Sequence, residues 1–294
     1  MKENDNRSVL MIISSMLIFG SIGILIRYIP LPSAFIAFFR GSFGGLFIFI
    51  VLKLKQHKVT RLPIDKLTWL SVSGAVMAFN WIFLFEAYSY TSVAVATLCY
   101  YMQPTIVVLL SPFLFKERLT RKKMICVILS IIGMIFVSGI LNGGSLASSS
   151  IKGIILGLGA AVLYSTVVIM NKQLSGIDAY LKTTIQLLSA GLVMIPYMFM
   201  TDSFESISFT PSTVILLLIV GLVHTGLAYA LYFGSIDGLK AQSVAIFSYI
   251  DPVAALFLSS VFLHEPLDAF GMIGAVLIIG SAIISETRLK SLER

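Results

Sequence analysis

Long apolar stretches separated by short polar connections dominate the pattern along this chain. A helix needs about 20 apolar residues to cross the hydrocarbon core of a bilayer. Lipid excludes irregular backbone, and barrel strands would alternate in polarity over about ten residues. The pattern therefore predicts ten membrane-spanning helices, at residues 8–28, 33–52, 67–87, 92–114, 122–141, 152–172, 180–200, 213–235, 241–263 and 268–286.

The composition agrees with this pattern and limits what else the chain contains. Hydrophobic residues make up 57% of it and charged residues 12%, whereas a soluble domain carries about 25% charged residues. Ten spans of about 21 residues occupy most of the 294 positions. This leaves no room for a soluble catalytic domain or a nucleotide-binding cassette.

The net charge of +7 comes from basic residues in particular connections rather than from a basic surface. Most of the Lys and Arg residues lie in the tails and in the connections at 53–66 and 115–123. Such clusters stay cytoplasmic and orient membrane helices, so we predict a plasma-membrane protein with both termini in the cytoplasm. The clusters carry no interleaved aromatic residues, and no nucleic-acid partner is expected.

The sequence also repeats itself weakly, at an offset of about 145–148 residues. Residues 17–21 align with 162–166, and the other aligned pairs are Arg27 with Lys172, Arg40 with Gln186, Gly45 with Gly191, Gly74 with Gly221, Pro104 with Pro252 and Glu117 with Glu265. Each half has five spans, so the second half enters the membrane from the opposite side, an architecture typical of transporters. We therefore predict an all-α membrane protein of two inverted five-helix repeats, 1–141 and 152–294, joined by an outer loop at 142–151.

In their order and spacing, several of these residues resemble EamA-type members of the drug/metabolite transporter superfamily. They are Phe38-Phe39-Arg40, the helices with Pro104 and Pro252, and the acidic steps Glu117-Arg118-Leu119 and Glu265-Pro266-Leu267. The resemblance implies ten helices, a central cavity and transport of small organic solutes. Gln186 stands where the first half has Arg40, so any role of that Arg is not duplicated.

Asp251 is predicted near the membrane midplane, about 15 Å along the span 241–263 at the rise of an α-helix. An acid at that depth costs about 2.5–3.5 kcal/mol and faces a bundle interior or water. The adjacent Pro252 bends the helix, and the repeat counterpart is Gln103 before Pro104. We expect Asp251 to couple protons or bind a substrate amine, with Pro104 and Pro252 as hinges. The alternative is a buried acid that only fixes packing.

His224 and Arg40 are further candidates, each with a structural alternative. His224 lies at nearly the same predicted depth as Asp251, so the two could relay a proton, but a neutral His also joins helices by a hydrogen bond. Arg40 is suited to bind a substrate carboxylate bidentately. It is equally suited to a structural role, bonded to carbonyls or paired with Glu86, and we favour that role because Arg can snorkel from its depth.

Aromatic and amide side chains near the predicted midplane complete the candidate site. Aromatic rings near a proline kink suit a cavity for an apolar or cationic solute, and Tyr100 is predicted one turn from Gln103 on the same helical face. The alternative for any single aromatic residue is that it faces lipid or fills the core. The amides have the alternative of only joining helices. These candidates are Trp81, Tyr100, Tyr101, Tyr249, Gln103, Asn80 and Gln186.

Together these features predict a secondary active transporter, not an enzyme, that moves a small organic metabolite by alternating access. An amino acid, amine or related solute is the expected substrate and export the expected direction. Partners are this solute, protons if Asp251 couples transport, and the lipid bilayer, with the chain a monomer or homodimer. No metal or cofactor is predicted. The alternatives are a membrane-embedded enzyme, which one deep acid and scattered His and Cys disfavour, and a passive channel, which would need polar rings or filter loops.

Overall fold

The computed structural model describes residues 2–55, 61–115, 120–137, 148–174, 176–201, 209–236, 239, 244, 247–265 and 267–286. The acidic step at Glu117-Arg118-Leu119, Pro266 and residues 142–147 of the predicted outer loop lie outside the described residues. So do residues 241–243 of the ninth predicted span.

All regular structure in the described part of the chain is helical. The helices are α1 (Lys2–Arg27), α2 (Ser33–Leu54), α3 (Ile64–Tyr90), α4 (Val93–Tyr100), α5 (Gln103–Phe115), α6 (Arg121–Val137), α7 (Ser148–Gln173), α8 (Ala179–Met200), α9 (Pro211–Leu218), a π-helical segment (Ile219–Leu227), α10 (Ala228–Ile236), α11 (Ile250–Phe262) and α12 (Ala269–Glu286).

Seven helices in the described ranges are long and apolar enough to cross a membrane. They are Asn6–Arg27, Ser33–Leu54, Ile64–Tyr90, Val93–Leu114, Ser150–Gln173, Ala179–Met200 and Pro211–Ser235, and shorter apolar helices follow at Ile250–Phe262 and Ala269–Ser285. Large apolar side chains cover the outside of the bundle; Phe113, for example, is 82% exposed and Met200 83%. An apolar surface of this kind suits lipid rather than water.

Local sequence explains where several helices begin. The side chains of Ser92, Asp178 and Thr210 each accept a hydrogen bond from the backbone N–H three residues later. These caps satisfy backbone donors that have no partner inside the helix. Pro211 occupies the first turn of α9, where its missing N–H costs nothing.

Two predicted spans differ from the structure because the helix is interrupted within each. The fourth breaks at Tyr101 and Met102, between α4 and α5, and the ninth breaks at Tyr249, just before α11. Pro104 and Pro252 therefore lie in the first turn of a new helix. The expectation that they bend a continuous helix is wrong, because a proline in the first turn removes no intrahelical hydrogen bond.

Helix packing brings the two halves of the chain into direct contact. The most extensive contacts are between α2 and α8, α3 and α7, and α6 and α12, and α1 packs against α11 and α10. A Cβ on Gly41 would lie 2.6 Å from the Gly191 nitrogen and 2.8 Å from the Leu187 carbonyl oxygen. The α2 and α8 backbones therefore touch, as small residues allow in membrane bundles.

Candidate functional site

A cavity of about 470 Å³ lies between the helices, where the breaks at Tyr101 and Tyr249 meet. α1, α2, α3, α7, α10 and the two interrupted helices all contribute to its wall. Nine of the lining residues are aromatic: Phe19, Trp81, Tyr88, Tyr100, Tyr101, Tyr164, Tyr229, Tyr232 and Tyr249. Its size and the many aromatic side chains in its wall suit a small organic molecule.

Arg40 extends from α2 into this cavity and is held from two sides. Its Nε donates to Thr225 Oγ1 at 3.0 Å, and its guanidinium carbon lies 4.4 Å from the centroid of the Trp81 ring. Thr225 in turn donates to the Val220 carbonyl within the π-helical segment. Arg40 is 6% exposed, so its charge is fixed in place within the bundle.

The predicted alternative partner of Arg40 is bound elsewhere. Glu86 accepts a hydrogen bond of 2.7 Å from the Ser33 hydroxyl. No ion pair within 4.0 Å joins Arg40 to Glu86, although both residues lie in the described part of the chain. The Arg40–Glu86 pairing is therefore wrong, and the guanidinium retains N–H groups that are suited to an anionic ligand.

Asp251 lines the same cavity from the first turn of α11. Its carboxyl group contacts the hydroxyl of Tyr101 at the other helix break. The Asp251 main chain also packs closely on α1, since a Cβ on Gly20 would lie 2.6 Å from the Asp251 carbonyl oxygen. Among the described residues that line the cavity, Asp251 is the acidic side chain and Arg40 the basic one.

The two helix breaks place repeat-related residues around the same cavity. Gln103 and Pro104 line the cavity from α5, and Asp251 lines it from α11, whereas Pro252 is buried beside the lining. The expectation that Tyr100 and Gln103 share one helical face is wrong, because α4 ends at Tyr100 and α5 begins at Gln103. Both side chains nevertheless reach the cavity.

His224 is bound to a neighbouring helix and is absent from the described lining of the cavity. Its Nε2 is 2.9 Å from the Ser21 hydroxyl, and its Nδ1 is 3.4 Å from the Ile219 carbonyl oxygen. These contacts match the helix-joining role that the sequence left open.

Asn80 and Gln186 also join helices and lie outside the lining residues. Asn80 Nδ2 donates to the Ala160 carbonyl oxygen at 2.6 Å, and Gln186 Nε2 donates to Ser73 Oγ at 2.7 Å and to Asn171 Oδ1 at 2.9 Å. Both amide side chains connect α3 to the second half of the chain.

Comparison with known proteins assigns this bundle to a family. Residues 6–139 and residues 151–287 each match the EamA-like transporter family. The chain belongs to this family, which is part of the drug/metabolite transporter superfamily. It is accordingly a multi-pass membrane protein of a transporter family.

Sequence relatives agree with this assignment, and one solved structure shares the fold. The EamA chain is 29% identical over 287 residues to the "Uncharacterized transporter YxxF" of Bacillus subtilis, covering 97% of this chain and 91% of the relative. It is 30% identical over 239 residues to the "Probable amino-acid metabolite efflux pump" of Salmonella typhimurium, covering 76% and 78%. One crystal structure shares its fold with a TM-score of 0.66 and 20% identity, covering 95% and 96%.

Five aromatic residues that line the cavity were not predicted from the sequence. Phe19, Tyr88, Tyr164, Tyr229 and Tyr232 all line it. A tyrosine far from the membrane surface needs a polar neighbour for its hydroxyl, which is one available signal. The repeat is another, since it aligns Phe19 with Tyr164.

Proposed function

We propose that this protein is a secondary active transporter that exports a small organic metabolite, an amino acid, amine or related solute, by alternating access. The observation that carries the proposal is the aromatic cavity with Arg40 from the first family segment and Asp251 from the second. A cavity with one charge of each sign suits a solute that carries both a carboxylate and an amine. The name of the Salmonella relative, an amino-acid metabolite efflux pump at 30% identity, supports the same class of substrate.

In this proposal each group around the cavity has a separate task. Arg40 binds the carboxylate through the N–H groups that Thr225 leaves unused, because guanidinium and carboxylate match in geometry. Asp251 binds the amine or carries the coupled proton. The aromatic rings hold the apolar part of the solute, and Tyr101 keeps the Asp251 carboxyl group in position.

The proposed architecture is two inverted five-helix repeats, with both termini in the cytoplasm. The two family segments support it. So does the packing, because repeat-related helices pair across the bundle, α2 with α8 and α6 with α12. The interrupted helices at the cavity are the elements that would rearrange when access changes sides.

Topology tags test this architecture directly. We expect a tag at the N-terminus to be protected in intact cells and a tag inserted at Asn142 to be accessible from outside. If both positions face the same compartment, the inverted arrangement and the transport mechanism based on it are wrong.

The substrate is sought by measuring the melting temperature of the protein in detergent with each compound of a metabolite library. A ligand that binds the folded state raises the melting temperature as its concentration increases. Compounds that stabilise the protein are then tested for uptake into proteoliposomes. The proposal expects stabilisation by solutes with a carboxylate, an amine or both, and saturable uptake of the same solutes. Stabilising compounds that are never transported would contradict it.

A further inference from the structure

Glu265, which lies between α11 and α12, binds three separate parts of the bundle at the end where α1 terminates. Arg27 Nη2 donates to Glu265 Oε1 at 2.6 Å. The second carboxylate oxygen, Oε2, accepts from the Val93 backbone N–H at 2.9 Å and from the Ser259 hydroxyl at 2.8 Å. Both oxygens of one carboxylate are thus engaged, by α1, by the start of α4 and by α11.

The three helices that meet at Glu265 are the ones that bring much of the lining to the cavity. α1 lines it with Gly23 among others, α4 with Thr97, and α11 with Asp251. Separating these helices at this end would open the cavity toward the same side of the bundle. Glu265 lies where that separation would begin.

Below Glu265 the same helices are in close contact. A Cβ on Gly23 would lie 2.5 Å from Val93 Cγ1, and one on Gly20 would lie 2.8 Å from Ala254 Cβ. The lining residues of α1 continue from Gly23 back to Met16, toward the opposite end of the helix. Along α1 the described lining therefore extends away from Glu265, and Arg27, which binds Glu265, is not among the described lining residues.

We propose that Glu265 is the latch of the outer gate, holding α1, α4 and α11 together while the cavity serves the cytoplasmic side. The inference rests on the proposed function, because it needs alternating access and the proposed orientation. The Arg27–Glu265 pair must then break in every transport cycle. An ion pair that is partly exposed suits this, since its side chains are 34% and 17% exposed and such pairs are easily separated.

The geometry also predicts an order of effects. Replacing Arg27 removes one contact to the carboxylate, whereas E265A removes the contacts to Arg27, Val93 and Ser259 together. Loss of a partly exposed ion pair shifts a two-state equilibrium by up to about fivefold. We therefore expect R27Q to shift the protein toward the outward-open state by about two- to fivefold, and E265A to shift it further.

Accessibility of a cysteine in the cavity measures this shift without a known substrate. Thr97 lines the cavity from α4, so T97C in a C99A/C126A background provides the reporter. Intact cells are treated with a membrane-impermeant maleimide, and inside-out vesicles receive the same reagent at the cytoplasmic face. K152Q is the matched control. Lys152 lies over the Tyr90 ring, so this substitution removes a cation without changing any contact of Glu265.

The expected result is faster labelling from outside and slower labelling from the cytoplasmic side in R27Q and E265A, with K152Q equal to the parent. The exchanged pair R27E/E265R restores part of the slow outside labelling. Faster labelling from both sides together indicates a loosened fold and overturns the latch. Unchanged labelling in both variants also overturns it, and leaves the proposed function standing if uptake into proteoliposomes is observed. Latch effects without any solute uptake would contradict the proposed function alone.

Discussion

The guanidinium of Arg40 lies against the face of Trp81, with 4.4 Å between its central carbon and the ring centroid. The hydrogen bond to Thr225 fixes the same group from the opposite half of the chain. A cation held by an aromatic face and one hydroxyl is positioned without being neutralised. Arg40 thus has the structural contacts that the sequence offered as one alternative, and the proposed function assigns it the other alternative, ligand binding, as well.

R40K is expected to weaken binding of carboxylate-bearing solutes by about tenfold or more, because lysine keeps the charge but loses the bidentate geometry and the stacking. The measurement is the concentration dependence of thermal stabilisation, with an amino acid compared to its decarboxylated amine. The amine should be affected much less. T225V is a milder change and should cost about 1 kcal/mol of stability through one lost hydrogen bond. An equal loss of affinity for the amino acid and for its amine in R40K would contradict the assignment of Arg40 to the carboxylate.

D251N is expected to remove the dependence of uptake on a pH gradient, because the amide cannot carry a proton. Uptake into proteoliposomes is measured with and without the gradient. E86Q is the matched control: Glu86 is bound to Ser33 and is not among the lining residues, so its variant should keep the gradient dependence. If uptake by D251N still depends on the pH gradient, Asp251 does not couple protons to transport. The proposal that the protein is a transporter is unaffected by that result.

H224Q should keep the pH-gradient dependence of the parent, because His224 is bonded to Ser21 and lies outside the cavity lining. S21A removes the same contact from the other side and should lower stability by about 0.5–1.5 kcal/mol. Thermal melting in detergent measures the second effect. Loss of gradient dependence in H224Q, with a normal melting temperature, would instead support the proton relay between His224 and Asp251.

G41A is expected to destabilise the protein by about 1–3 kcal/mol, because its methyl group would enter the backbone contact between α2 and α8. G280A is the control: Gly280 is also helical, but nothing lies within 4 Å of an added Cβ. In open space alanine favours a helix by about 0.5–1 kcal/mol. The melting temperatures should therefore move in opposite directions, and a similar change in both would contradict the close contact at Gly41.

Much of the fold followed from the sequence, because hydrophobic length is a direct requirement of the bilayer. The predicted second span, 33–52, is α2 at Ser33–Leu54, and the seventh, 180–200, is α8 at Ala179–Met200. The interruptions were harder to place. A proline identifies a disturbed helix, but whether it bends the helix or begins a new one depends on neighbours that the local pattern does not contain.

The sequence identified the residues of the cavity well where a charged side chain has a high free energy in lipid. It was ambiguous where an uncharged polar side chain has a lower one. Arg40 and Asp251 were identified because a charged side chain in the bilayer core is unfavourable unless it faces a cavity or a partner, and both line the cavity. His224, Asn80 and Gln186 cost less, and each found a partner on another helix. Tyr88, Tyr164, Tyr229 and Tyr232 were not predicted, because an aromatic residue in a span has the same sequence pattern whether it faces lipid or a cavity.

The glycine contact between α2 and α8 has a mechanical consequence. Gly41 meets Gly191 through main-chain atoms, while the Leu188 side chain packs on Gly45 and the Ser42 hydroxyl packs on Gly191. The two helices are therefore as close as their backbones allow, and side chains that fit over glycines hold them in register. If one half of this bundle rocks against the other, α2 and α8 form the natural fulcrum, where the two halves pivot while the rims travel furthest.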